Sequence, residues 1–252
     1  MVFLAKTTSS NEWKIIAKTI STLVDEASFE ATSEGIIFRA MDPSHVALVD
    51  INWPNSAFEK YESDGQFKFT VRVEDFVKLI GRADQKDSIE ISDTGKDSLT
   101  MKFSNSYSRK FNINLIESSV TPTPLPKLTF NTKLLLTGST CQQILSDVSV
   151  VSDHITLNSV KDKITFSGKS ESGSASVILD KKSPELLEYE FKDVSQSTYS
   201  IDYLLNITKA AGSASQSLVL EYSSKMPLKF EFKLGDQGGK ISFYLAPRIE
   251  DQ

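Results

Sequence analysis

The residues able to do chemistry are few, and their spacing does not suit it. Among 252 residues there is one cysteine, Cys141, and there are two histidines, His45 and His154. Neither histidine stands at metal-ligand spacing from Cys141 or from a carboxylate pair, so no metal site is expected. A lone cysteine rules out an intrachain disulfide and fits a reducing interior. His45 follows Asp42-Pro43-Ser44 in a turn and His154 starts a strand, so both read as ordinary polar residues. Serines and aspartates abound, but no Gly-x-Ser-x-Gly elbow accompanies them. Ser172-Gly173-Ser174 reads as a polar turn between strands. Neither of the glycine patterns that cradle phosphate is present, and Asp236-Gln237-Gly238-Gly239 has the composition of a hairpin turn. The chain is therefore expected to be no enzyme and to need no cofactor. The rival from another class, a β-rich enzyme of unknown substrate, requires a cleft of convergent titratable groups that the sequence does not advertise.

The remaining chemistry open to these side chains is binding. A formal net charge of −5 argues against a polyanionic partner unless cations are segregated onto one surface. Lys14 and Lys18 lie four apart, opposite the buried stripe of a first helix. Lys78 and Arg82 repeat that arrangement on a second helix, and Lys209 lies on the exposed side of a fourth. The third helix carries Gln142, Ser146 and Ser149 there instead. Solvated helix faces carry lysine in any case, so charge alone leaves both readings open.

Four segments have helical periodicity. The first follows Ser9-Ser10 as N-caps and runs to about Val24, burying Trp13, Ile16, Ala17, Ile20 and Val24. The others span roughly Arg72–Arg82 (Val73, Phe76, Val77 and Ile80 inward), Ser139–Ser152 (Cys141, Ile144, Leu145 and Val148) and Ile201–Ala211 (Ile201, Leu204 and Leu205). The rest is dominated by period-two alternation, clearest in Leu228–Leu234, as expected of antiparallel sheet with one open face. The order of long helix, strands, short helix and strands occurs twice, with 141 − 13 = 128 and 201 − 73 = 128. The reading is an α+β chain of two topologically similar domains, 1–117 and 131–252, joined by a connector at 118–130. Pro122, Pro124 and Pro126 extend that connector, and Val120, Leu125 and Leu128 make it more apolar than a spacer needs. No apolar run is long enough to span a membrane. Met1–Lys6 has neither the apolar length nor the basic lead of a signal peptide.

Phe243-Tyr244-Leu245-Ala246-Pro247-Arg248-Ile249-Glu250 closely resembles the terminal Tyr-Leu-Ala-Pro-Lys/Arg-Ile-Glu of the proliferating-cell-nuclear-antigen family of DNA sliding clamps. Gly35–Leu48, with Ala40-Met41-Asp42-Pro43-Ser44-His45-Val46, is similar to a second family segment. Met226-Pro227-Leu228 and Thr208-Lys209-Ala210 add further similarity, and the compact length and Pro-rich connector look archaeal. The resemblance implies the DNA-clamp fold: a trimeric ring with antiparallel sheets outside and four helices lining its inner face. The implied function is DNA polymerase processivity, by encircling duplex DNA without reading sequence. On this reading Lys14, Lys18, Lys78, Arg82 and Lys209 face the DNA.

The resemblance also implies partners and contacts. DNA polymerase, clamp loader, nuclease and ligase would dock short peptides in an outer pocket. Met41, His45, Val46, Leu125 and Pro126 would line it together with Leu128, Pro227, Tyr244, Ala246 and Pro247. The strand near Arg109–Leu115 of one subunit would pair with that near Ser174–Leu179 of the next. Arg82, Lys86, Arg109 and Lys110 would lie on one side of that contact, with Asp147, Ser176, Val177 and Ile178 on the other. Gln143 holds a position that can be acidic in archaeal members. A homotrimer is expected, the alternatives being one subunit of a heterotrimeric or checkpoint-type ring, or an adaptor without DNA. The location implied is intracellular: beside the nucleoid in an archaeon, nuclear in a eukaryote.

Overall fold

The computed structural model describes residues 3–95, 97–118 and 123–249. It divides into two compact units, one of Met1–His45, Val49–Pro124 and Lys233–Ile241, the other of Val46–Leu48, Leu125–Phe232 and Ser242–Gln252. The expected connector residues Val120 and Pro122, and Glu250 of the terminal motif, lie outside the described residues.

The first half of the chain runs β1 (Phe3–Thr7), α1 (Asn11–Ile20), β2 (Glu26–Thr32), β3 (Gly35–Met41), β4 (Ala47–Pro54), β5 (Lys60–Ser63), β6 (Phe67–Arg72), α2 (Val73–Ile80), β7 (Ser88–Asp93), β8 (Ser98–Ser104) and β9 (Ser108–Asn114). The second runs β10 (Thr132–Thr137), α3 (Gly138–Ser149), β11 (His154–Val160), β12 (Lys163–Ser170), β13 (Gly173–Asp180), β14 (Leu186–Phe191), β15 (Ser195–Ser200), α4 (Ile201–Ala211), β16 (Ser217–Tyr222), β17 (Leu228–Leu234) and β18 (Gly239–Leu245). Among the described residues each half thus has nine strands and two α-helices in one order. The offset of 128 recurs between elements: 154 − 26 for β11 and β2, 163 − 35 for β12 and β3, and 195 − 67 for β15 and β6.

In the first half, β5-β1-β7-β8-β9 form one antiparallel sheet and β4-β3-β2-β6 follow one another in a second. The second half orders its strands as β14-β10-β16-β17 and β13-β12-β11-β15. Strand β9 has β8 as its one neighbour, with Phe103 opposite Arg109, and β13 has only β12, with Thr165 opposite Ile178.

The helices form because one face of each is apolar and can be buried against sheet. In the first unit Trp13 of α1 lies edge-on to Trp53 of β4 (4.8 Å between centroids) and to Phe76 of α2 (6.1 Å). Phe29 stacks on Phe69 at 5.0 Å. Such contacts add roughly 0.5–1.5 kcal/mol each beyond the area they bury. The second unit buries Tyr199 and Tyr222. Their hydroxyls are satisfied: Tyr199 donates to Met226 O at 2.8 Å, while Tyr222 meets Ser159 Oγ and donates to Ser195 O. Burial pushes both phenols up.

Several boundaries differ from the periodicity. Helix α1 stops at Ile20; Thr22 to Val24 form a tight turn on Thr19 and Ile20 carbonyls, reinforced by the Thr22 hydroxyl (2.7 Å to Thr19 O). Val24 is accordingly half-buried, as are Val77 and Leu205 at the margins of their stripes. Ser10 is not a side-chain cap, because its hydroxyl donates instead to Asp84 O at 2.8 Å. Ser9 Oγ accepts from Asn11 N–H at 3.3 Å. Helix α3 is capped by Thr137, whose Oγ1 accepts from Thr140 N–H at 3.1 Å, and ends at Ser149. Helix α2 also ends early, at Ile80.

Candidate nucleic-acid and partner interfaces

The cations expected to face DNA sit on the outer sides of helices whose inner sides are fixed by the core. Lys18 is exposed on α1 and Lys14 half-buried. Lys78 is exposed on α2, yet its ammonium is bonded to Glu74 one turn back. Arg82 is exposed just past α2 and Lys209 on the last turn of α4. Acids share these faces, namely Glu74 and Asp75 on α2 and Asp202 on α4. The positive field is therefore sparse. Arg72, exposed at the start of α2, is a further cation the periodicity did not single out.

Strand β9 and the turns beside it hold the first set of expected interface cations. Arg109 does not reach into solvent: Nη1 donates to Arg82 O at 2.9 Å, and Nη2 contacts Asp84 at 3.3 Å and the fully buried Asp87. Asp87 also accepts from Asn105 Nδ2 at 2.5 Å and Asp84 N–H at 2.6 Å. The guanidinium packs over Tyr107 and Phe103, 5.3 and 5.9 Å from the ring centroids. Arg82 and Arg109 are thus brought together, while Lys86 and Lys110 are exposed. In the second unit β13 presents Ser176 and Ile178 outward, with Val177 half-buried. On α3, Asp147 is exposed and accepts from Gln143 Nε2 at 2.7 Å. The acids around Arg109 carry no local sequence signal, since Asp87 lies 22 positions away.

Eight of the ten expected pocket residues belong to the second unit. There Ala246 N–H donates to Val46 O at 2.8 Å, tying the residue after β18 to the start of β4. Pro126, Leu128, Pro227, Tyr244, Ala246 and Pro247 are half-buried, and Leu125 is 40% exposed. A mix of partial burial and apolar character suits a surface that accepts another apolar group. Met41 (half-buried) and His45 (exposed) belong to the first unit. His45 has φ 58° in a turn whose N–H bonds to the buried Asp42: His45 N–H meets the Asp42 carbonyl at 2.9 Å and Ser44 N–H its carboxylate at 3.2 Å. Arg39, which sequence reasoning passed over, is held by Asp50 at 2.7 Å and donates to Thr123 O at 3.4 Å.

Among the described residues no group of three His, Cys, Asp or Glu side chains could hold a metal. Cys141 is buried among apolar side chains that push its thiol up to about 12. No helix among the described residues is long and apolar enough to cross a membrane.

Two halves of one topology, each with sheets and a helix pair, define the clamp fold, and comparisons with known proteins agree. The family descriptions "Proliferating cell nuclear antigen, N-terminal domain" and "C-terminal domain" match residues 2–120 and 124–248. The "DNA polymerase sliding clamp" of Nitrosopumilus maritimus is 50% identical over 250 residues, 99% of this chain and 100% of that one. That of Thermococcus gammatolerans is 32% identical, covering 96% of each. The crystal structure of PCNA from Thermococcus kodakaraensis superposes with a TM-score of 0.92 at 26% identity, covering 98% and 100%. The PCNA2–PCNA3 complex from Sulfolobus tokodaii gives 0.89 at 29%, again over 98% and 100%. The chain belongs to the proliferating cell nuclear antigen family. It is a sliding clamp, a processivity factor and not an enzyme.

Proposed function

We propose that three copies of this chain close a ring around duplex DNA and hold DNA polymerase and other enzymes on it. The observation carrying this reading is the place of β9 and β13 among the edge strands of the described residues, which also include β5, β6, β14 and β15. The repeat counterparts of β9 and β13 are β18 and β4, and in the second unit the residues bordering those strands bond through Ala246 and Val46. Joining β9 of one copy to β13 of the next repeats a pairing the chain already makes, and it leaves fewer open edges. We assign Lys14, Lys18, Lys78, Arg82 and Lys209 to loose phosphate contact without base readout, which permits sliding. Residues 118–130 serve as connector between domains 1–117 and 131–252. Partner peptides with aromatic and aliphatic anchors are read by the surface around Tyr244, Ala246, Pro247 and Leu128. The setting is intracellular, at the replicating DNA.

A heterotrimer is the second reading, favoured by the likeness to a solved complex of two different clamp chains. Light scattering on the isolated chain separates them: a stable mass of three chains supports the homotrimer, a lone monomer the alternative. For DNA contact, Lys14→Glu with Lys78→Glu is expected to impair clamp-dependent primer extension while leaving the oligomer intact. Unchanged extension would remove these residues from the DNA-facing set.

A further inference from the structure

Beside the last strand, the second unit has an open groove of about 550 Å³ that neither DNA contact nor the apolar pocket uses. Ser152, His154, Thr156, Lys169, Thr198 and Arg248 line it, and no carboxylate is among its lining residues. We propose that this groove is a carboxylate-recognition subsite, taking an acidic segment that flanks the apolar anchor of a bound partner peptide. The proposal rests on the pocket reading above and adds a specificity to it.

Three features make the groove a built feature. Arg248 is not a loose tether: its backbone N–H donates to Thr198 O at 2.7 Å, and its guanidinium meets the His154 ring, 2.6 Å from Nδ1. Burial and that neighbouring cation hold the imidazole below its usual range, against the opposite pull of Asp153 and Asp202. Lys169 stands on the same lining and has no acidic partner among the described residues. Gly168 keeps the strand close to the α3–β11 turn, because a Cβ there would lie 2.5 Å from Val148 Cγ1 and 2.8 Å from Ser152 Cβ. Guanidinium, ammonium and hydroxyls together suit carboxylates, which accept several donors at once. Arg248 and Ile249 directly follow Pro247, so a peptide on the pocket needs little extra length to reach the groove.

The test uses the full chain and synthetic peptides with one shared aromatic–aliphatic anchor. Each carries three glutamates or three glutamines, placed before the anchor in one pair and after it in another. In one of the pairs the glutamate form is expected to bind roughly fivefold tighter, as a few partly exposed charge contacts allow. The advantage should fade at high salt and vanish in Lys169→Gln with Arg248→Gln, while affinity for the glutamine form stays the same. The His154 ring signals should shift only with the glutamate form. Equal affinity of both forms, or an advantage surviving in the double variant, would overturn the subsite and leave the pocket standing. If no anchored peptide binds at all, the pocket reading fails and the subsite with it. An advantage seen only after Glu250→Gln with Asp251→Gln would assign the groove to the chain's own acidic residues and also overturn the proposal.

Discussion

Asp87, with no solvent exposure, is the most constrained charge in the first unit. Its oxygens receive the Asp84 N–H, Asn105 Nδ2 and Arg109, and Arg109 in turn fixes the Arg82 carbonyl. Removing one member of a buried pair leaves the other without compensation, so Asp87→Ala should cost about 2–4 kcal/mol of unfolding free energy. Urea titration of the variant checks this; a loss below about 1 kcal/mol would mean the network is dispensable. Cys141 gives a second residue-level expectation. A thiol raised to about 12 by burial stays protonated at neutral pH and reacts as thiolate only when exposed. Ellman's reagent at pH 8 should therefore follow global opening rather than native attack. Tyr244→Ala should weaken an anchored peptide tenfold or more if the ring is an anchor wall, as judged by fluorescence anisotropy. Normal affinity would count against its place in the pocket.

Among the elements, the edge strands β9 and β13 matter most. Arg109 and Asp147 already have partners within their own chain, so an intersubunit contact at β9 and β13 rests on backbone pairing and apolar groups such as Ile178, 52% exposed. Ile178→Asp is expected to yield folded monomers in light scattering. The wild-type oligomer should dissociate little more at 1 M salt than at 0.1 M; strong salt sensitivity would point to ion pairs that the structure satisfies internally. The sequence made some elements easy to read and hid others, for physical reasons. Strand β17 alternates large apolar and charged residues, and α3 buries Cys141, Ile144, Leu145 and Val148 at helical spacing, so both were legible. Strand β15, Ser-Gln-Ser-Thr-Tyr-Ser, turns Ser195 and Ser197 inward beside Tyr199, and β2 turns in Ala27 and Ala31 beside Phe29; one aromatic among small residues leaves each a faint hydrophobic trace. The Glu74–Lys78 pair could be foreseen from its spacing of four, whereas the Asp87–Arg109 contact depends on tertiary packing.

For the whole molecule, a net charge of −5 and helix faces of mixed sign argue for weak attraction to DNA, so on the proposed reading retention comes from enclosure. After loading onto nicked circular DNA the protein should stay bound at salt that strips it from linear DNA, and it should be lost when the circle is cut. Retention that ignores linearisation would mean ordinary affinity. The repeat adds a practical point. The offset between halves is 128 at β6 and β15 but rises to 129 at β7 and β16 (217 − 88), 130 at β8 and β17 (228 − 98) and 131 at β9 and β18 (239 − 108). The last two steps are each one extra residue in the hairpin loop just before the strand, while the strands keep their lengths. In these two hairpins length has drifted at the turn, which marks the loop tips as places to splice a fluorophore-bearing residue. The tip near Asn105–Tyr107 supports Arg109 and is best left alone. The Gly235–Gly238 tip is the better attachment point for watching a single clamp travel.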